Sequence, residues 1–390
     1  MHEQSRPPNE ADQDAVTRRR FLLTSGGVGF ASAAGAGCLG IRSVDDPDMI
    51  WFETIARDVS SPTVVGETVF VSDSYRLYAF DVADGSSVWE FETDGRIRSS
   101  PTTANGNLYV GSDDGSVYAV DTADGSPVWE FKNGDLVFSS PTVVGEALFV
   151  GSDDGSVYAL DTTNGSLVWK FEADRAFRSS LTVGNGTVFV RSDEGSIYAL
   201  DDADGEAVWE AELASVVPRE ERVTEPSAVP SPIVADGTVF VGGGNESMYA
   251  LDASSGEVVW EFETGGLIRS SPTVVDGTLY VGSGDGSVYA LNADDGSPAW
   301  EFKTGGGLIS RIWDRTSVTS SPTVADGTVF VGNAGVSVYA LDADDGDVQW
   351  VFERNYDGGS VRSSPAVVDG TVYVGISHSR GGVIYALAEP

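Results

Sequence analysis

The chain has 390 residues, 41% of them hydrophobic and 10% aromatic, and a formal net charge of -37. The apolar content is enough for a large core and excludes general disorder; the charge excludes nucleic acid as a partner, because neutralising phosphates requires a basic patch. Only three lysines (Lys132, Lys170, Lys303) stand against 60 acidic residues, a surface suited to concentrated salt, where the Debye length falls to roughly 3 Å at 1 M and self-repulsion is screened.

In this respect the composition resembles that of haloarchaeal proteins. Residues 17–23 read TRRRFLL. Arg18 and Arg19 ahead of Phe-Leu-Leu resemble a twin-arginine (Tat) export signal, and the Gly/Ala-rich run that follows is short for a membrane span. The run ends in Gly35-Ala-Gly-Cys38, and Cys38 is the only cysteine, so no intrachain disulfide forms. Small residues before this Cys resemble a lipobox, in which the cysteine is lipidated and becomes the mature N-terminus. Gly35 departs from the aliphatic residue usual there, and the alternative is a chance cysteine in a signal cut elsewhere. The expectation is a signal peptide over 1–37, Tat export, and a lipid anchor at Cys38 on the outer face of the cell membrane. Residues 38–48 form a short tether with a reach of roughly 15–20 Å.

From Ser60 the chain repeats itself with a period near 40 residues; SSPTTANGNLYVGSDDGSVYAVDTADGSPVWEF (99–131) and SSPTVVDGTLYVGSGDGSVYALNADDGSPAWEF (270–302) are two copies. Each copy carries four short runs rich in β-branched and aromatic residues, joined by Asp-Gly, Asn-Gly or Gly-Glu pairs that suit two-residue hairpin turns. Repeats of this length with four strands predict propeller blades. Trp89, Trp129, Trp169, Trp209, Trp260, Trp300 and Trp350 mark seven outer strands. An eighth copy begins at Ser363 and stops at Pro390 before its Trp strand; Trp51, in Met49-Ile-Trp-Phe-Glu53, supplies it. The predicted fold is all-β: one eight-bladed propeller over 49–390, closed by the N-terminal strand, which leaves no open ring edge.

Ala119-x-Asp121-x-x-x-Gly125-x-x-x-Trp129 recurs at Ala79/Asp81/Gly85/Trp89, Ala159/Asp161/Gly165/Trp169, Ala199/Asp201/Gly205/Trp209, Ala250/Asp252/Gly256/Trp260 and Ala340/Asp342/Gly346/Trp350, with Asn292 replacing the Asp in blade six. This signature resembles the PQQ-type (quinoprotein) propeller repeat. The Thr usual before the Gly is mostly Asp here. The signature residues read as structural: Gly turns the chain, Asp bonds turn amides, and Trp fills the gap between blades. The family holds quinoprotein dehydrogenases and a non-enzymatic, BamB-like branch, and fold alone does not choose between them.

A quinoprotein alcohol or sugar dehydrogenase needs PQQ, a Ca²⁺ site of oxygen ligands and a catalytic Asp. The carboxylates of this chain mostly repeat at turn positions, which marks them as surface and turn residues. His378 is the one histidine outside the signal, which rules out a multi-His metal site. The expectation is a binding or assembly scaffold with no catalytic residue, no metal and no cofactor; a PQQ- and Ca²⁺-dependent dehydrogenase, or a degenerate relative of one, is the alternative.

Trp spacing locates loop insertions after Trp209, Trp300 and Trp350, in connections from an outer to the next inner strand, hence on one face. One contains PREERVTEP, a solvated loop. Another contains Arg311, Trp313 and Arg315, residue types enriched in binding hot spots; Trp313 either recognises a partner or pins its loop. His378 falls in a blade-eight turn on the same face. Aligned on Ser-Pro, the even blades carry Arg98, Arg178, Arg269 and Arg362 at the entry of the inner strand, and the odd blades carry Val59, Phe138, Val229 and Thr319. Two roles are open for these arginines: a basic collar for an anionic ligand or a partner's carboxylates, or pairing with acidic turns of the neighbouring blade.

Overall fold

Alternating apolar residues between Gly-containing turns produce strands throughout the computed structural model, which describes residues 47–56, 58–213, 229–305, 316–354 and 358–389. Among these residues there are thirty-two strands, β1 to β32 in chain order, sorted into eight antiparallel sheets of four, and no helix. Blade one is β2 (Thr63–Val65), β3 (Thr68–Ser72), β4 (Arg76–Asp81) and β5 (Ser87–Glu92), paired in that order. Blades two to seven repeat it over 102–132, 142–172, 182–212, 233–263, 273–303 and 323–353. The innermost strands contact one another in sequence around a complete circle, the last (Ala366–Val368) returning to β2. The molecule is an eight-bladed propeller.

The turn chemistry acts as the sequence predicts. Asn105–Gly106, Asp276–Gly277 and Asp326–Gly327 have positive φ at both residues, 52° and 78° in the first. That is the type I′ hairpin geometry, which Asn, Asp and Gly tolerate best. The core lies between blades: Phe70, Leu77 and Ala79 of blade one, for instance, pack on Leu108, Val110 and Tyr118 of blade two.

Each repeat Trp is a wedge with a polar tip. Trp129 Nε1 donates to Thr162 O of the next blade at 2.9 Å, and Trp89, Trp169, Trp209, Trp260 and Trp300 donate in the same way. Its ring face presses on Gly165, where a Cβ would stand 2.6 Å from Trp129 Cε3. The signature glycine therefore both turns the chain at φ 71° and leaves room for the previous blade's indole.

Closure follows the prediction. β1 (Asp48–Ile55), starting one residue ahead of the expected boundary, pairs with β32 (Gly381–Ala388) and completes the order β1-β32-β31-β30, where β31 is Thr371–His378 and β30 is Ala366–Val368. Trp51 sits opposite Ala386 as Trp89 sits opposite Ala79, and its Nε1 reaches Val82 O of blade one at 2.7 Å.

The Ser-Ser-Pro element has a role that the sequence reading misses. The first serine staples its own blade: Ser99 Oγ accepts from Gly111 N at 2.9 Å and donates to Gly111 O at 3.2 Å. The second links blades: Ser100 N donates to Ser140 Oγ, Ser140 N to Ser180 Oγ, Ser180 N to Ser231 Oγ, and so on to Ser364 N, which donates to Ser61 Oγ at 2.9 Å. Short polar side chains thus satisfy backbone amides at the inner strand's entry, where no sheet partner is available.

Candidate binding face at the channel mouth

The entry of each inner strand and the turn between second and third strands meet at one end of the central channel. Arg98, Arg178, Arg269 and Arg362 stand there on blades two, four, six and eight, ahead of the serine staples. Val59 does not take the aligned position in blade one. Asp58 has φ 58°, which turns Val59 inward to 6% exposure against Gly375 of blade eight.

The four arginines are not equivalent. Arg178 Nε and Nη2 bond Asp153 of the preceding blade at 2.8 and 2.7 Å, and its Nη1 lies 3.2 Å from Asp193 of its own blade. These side chains are 24%, 11% and 12% exposed, so the cluster is largely withdrawn from water. The Asp153 hydrogen bonds, opposed by burial, hold Arg178 above its ordinary value. Arg98 Nε bonds Asp113 of its own blade at 3.0 and 3.2 Å. Both guanidinium groups share the Phe138 ring, with Cζ 5.0 and 4.9 Å from its centroid, an arrangement favoured by the ring quadrupole. Arg269 and Arg362 are exposed, and neither has an ion pair or hydrogen bond to another described residue.

The difference comes from the second-to-third strand turns. Blades two, three and four read SDDGS, SDDGS and SDEGS, which place Asp113, Asp153 and Asp193 at the mouth. The corresponding positions in blades five, six and seven are Gly244, Gly284 and Ala334. Pairing with acidic turns is therefore confined to one half of the ring, and Arg269 and Arg362 on the other half stand exposed without it. Reading every turn carboxylate as surface passes over Asp113, Asp153 and Asp193; comparing this turn position blade by blade is the signal that finds them.

The next acid in the turn is a structural clamp. Asp285 accepts from Ser287 N, Tyr289 Oη and Gly265 N at 2.7, 2.7 and 2.9 Å. Burial pushes its carboxyl up, but these donors outweigh it and hold it below the usual carboxylate range. Tyr289 is raised in turn to about 12 by burial and by Asp285. Asp73 makes the same clamp with Tyr78 Oη at 2.7 Å, and Asp154 bonds Tyr158 Oη likewise.

His378 is not in the turn itself. β31 and β32 run on to the His378–Gly381 pair, leaving Ser379–Arg380 as the two-residue turn. His378 is half-buried, its Nδ1 accepts from Arg380 N at 3.3 Å, and burial and the Arg380 charge lower its pKa. Arg311, Trp313 and Arg315, the PREERVTEP segment, Cys38, Arg18 and Arg19 lie outside the described residues.

A quinone with Ca²⁺ requires several hard oxygen ligands around one point. No group of three or more His, Cys, Asp and Glu among the described residues is placed to hold a metal ion. The carboxylates gathered at the mouth are already bound to Arg98 and Arg178. This donor set does not fit a Ca²⁺–quinone pair.

A closed ring of eight four-stranded blades, wedged apart by Trp on Gly, defines the PQQ-like class of β-propeller. The family model described as outer membrane protein assembly factor BamB matches residues 41–144, 134–229, 215–318 and 310–388, and the chain belongs to that family. No curated protein matches it. Among solved structures it is similar to BamB from Moraxella catarrhalis (17% identity, 88% of this chain and 97% of that one, TM-score 0.68). It is also similar to a quinohemoprotein alcohol dehydrogenase from Pseudomonas putida HK5 (14%, 87% and 76%, 0.67) and to the computationally designed Ika8 protein (12%, 87% and 99%, 0.71). An assembly factor, an alcohol dehydrogenase and a design share this scaffold, so the likeness speaks to fold.

Proposed function

We propose that the protein is a non-enzymatic, exported binding propeller, held at the outer face of the cell membrane by a lipid on Cys38, whose channel-mouth face docks the carboxylates of a protein partner or an anionic ligand. The observation that carries this reading is the division of the arginines: Arg98 and Arg178 are bound to acids of the propeller, while Arg269 and Arg362 stand exposed with no acid at the matching turns. Exposed guanidinium forks on a rigid scaffold suit carboxylate recognition. Arg311, Trp313 and Arg315 fall in sequence between the last strand of blade six and the first of blade seven, and we include them and His378 in the docking surface.

The test is capture from membrane extracts with the intact protein. A partner retained by the wild type and by Arg98→Gln, and lost with Arg269→Glu/Arg362→Glu, is the expected result; retention by the double variant overturns the assignment. Cys38→Ser should release the protein from the membrane fraction. A PQQ-dependent dehydrogenase, an activity that occurs on this fold, is the second reading. Quinone absorbance that survives desalting after addition of PQQ and Ca²⁺, with dye reduction on alcohols or sugars, would establish it instead.

A further inference from the structure

Two asparagines stand where the repeat otherwise uses aspartate. The hairpin between the first two strands of blades five to eight turns on Asp236, Asp276, Asp326 and Asp369, each at positive φ; in blade four the same corner is Asn185, at φ 53°. The turn between third and fourth strands is held in five blades by an aspartate that accepts from the backbone N–H two residues on, as Asp84 does from Ser86 and Asp124 from Ser126, both at 2.9 Å. In blade three Asn164 makes that bond, accepting from Ser166 N at 2.8 Å. Aspartate satisfies both turns, so neither needs an amide. The amide does complete a motif. Asn164-Gly-Ser166 and Asn185-Gly-Thr187 are Asn-x-Ser/Thr sequons, the acceptor sequence for an N-linked saccharide.

A twin-arginine signal of the kind at Arg18 and Arg19 delivers chains already folded, so the folded structure decides which sequons can be reached. Asn164 and Asn185 are both exposed, as is Ser166. A third sequon, Asn245-Glu-Ser247, is tied down: Asn245 Nδ2 donates to Tyr249 Oη at 2.7 Å and to Glu261 Oε1 at 3.4 Å, and Ser247 is 2% exposed. Asn105 and Asn133 also occupy turns, but Asn107 and Asp135 follow two positions on and supply no hydroxyl. The two open sequons sit on adjacent blades, three and four, in turns at the end of the strands opposite the channel mouth; Asn245 belongs to a second-to-third strand turn at the mouth.

We propose that Asn164 and Asn185 are N-glycosylated on the exported chain; the inference rests on the export reading above. The co-reactant is a saccharide carried on a lipid phosphate, transferred by a membrane-bound glycosyltransferase. Asn Nδ2 bonds to the anomeric carbon and gives up one proton, the bond from that carbon to the phosphate oxygen breaks, and the lipid phosphate leaves with its electron pair. Glycans placed at the far end of the blades leave the mouth open for docking.

The test is peptide mass spectrometry on the full chain purified from its own host, with immunolabelling of intact cells to locate it. Saccharide is expected on the peptides holding Asn164 and Asn185, and none on those holding Asn105, Asn133 or Asn245. Ser166→Ala and Thr187→Val should each remove one glycan although the asparagine remains. Asn164→Asp and Asn185→Asp should do the same and leave the unfolding midpoint of the unglycosylated chain unchanged, because the repeat already uses Asp at both corners; this separates loss of the glycan from loss of the fold. A bare Asn164 or Asn185 on a chain that labelling places outside the cell overturns this inference alone, and a saccharide on Asn245 refutes the sorting by exposure. An unmodified chain confined to the cytoplasm overturns the export reading and this inference with it.

Discussion

Replacing the mouth arginines one at a time separates those that hold the propeller together from those free to bind. Arg178→Gln removes two charge-assisted hydrogen bonds to Asp153, the ion pair with Asp193 and the contact with Phe138. It also strips the Arg178 cation from two carboxylates that are only 11% and 12% exposed. Hydrogen bonds to charged groups contribute about 1.5–3 kcal/mol each, and the Gln amide recovers part of one. The expected loss is about 2–4 kcal/mol, or roughly 30- to 1000-fold in the unfolding constant. Arg98→Gln strips one carboxylate from a side chain that is 30% exposed, and about 1 kcal/mol is expected. Arg269→Gln and Arg362→Gln touch no described partner and should stay within about 0.5 kcal/mol of wild type. Denaturant unfolding of the four single variants in one buffer reads all of these together. Equal losses at all four positions would refute the division, since the alternation would then be structural throughout; no loss at Arg178 would show that the cluster contributes nothing.

Three further outcomes are expected. Gly165→Ala and Gly106→Ala both force Ala to a positive φ (71° and 78°), but only the first drives a Cβ into Trp129, so it should lose about 1–3 kcal/mol more in denaturant melts. Trp51→Ala opens the seam between blades eight and one at a side chain 7% exposed; about 3–5 kcal/mol and a rise in aggregation on heating are expected, and an unchanged melt would contradict closure by β1. Tyr198 and Tyr289 are each raised to about 12, chiefly by burial and then by a carboxylate partner. Because the unfolded chain loses these protons first, stability should fall as pH rises from about 10 to 12. Tyr289→Phe should weaken that fall, measured as the midpoint against pH.

The strands, the turns and the number of blades were legible in the sequence because they depend on local and repeated causes. Positive φ at Asn105–Gly106 follows from residue type alone, and the Gly165–Trp129 pair recurs with its neighbours at fixed spacing. Even closure by Trp51 follows from counting, since an eighth blade without a Trp strand needs one from elsewhere. The site was legible only in part. Alternation of the arginines is a one-dimensional pattern, and it survives in three dimensions. Their inequivalence depends on contacts made across a seam: Arg178 meets Asp153, 25 residues earlier, while Gly284 and Ala334 leave the matching positions elsewhere empty of charge.

By itself the sequence determined the all-β repeat, the closed eight-bladed ring and the place of each Trp wedge, because short-range propensity and periodic burial specify these without reference to distant parts of the chain. Tertiary structure alone decided which cations are neutralised and which are not. It withdraws Asp153 and Asp193 from water around Arg178, turns Val59 inward after Asp58, and buries Arg191 completely. The physical reason is that desolvation and ion pairing depend on distances between blades, and a repeat that is uniform in sequence at Ser-Ser-Pro meets a different neighbour at each turn of the ring.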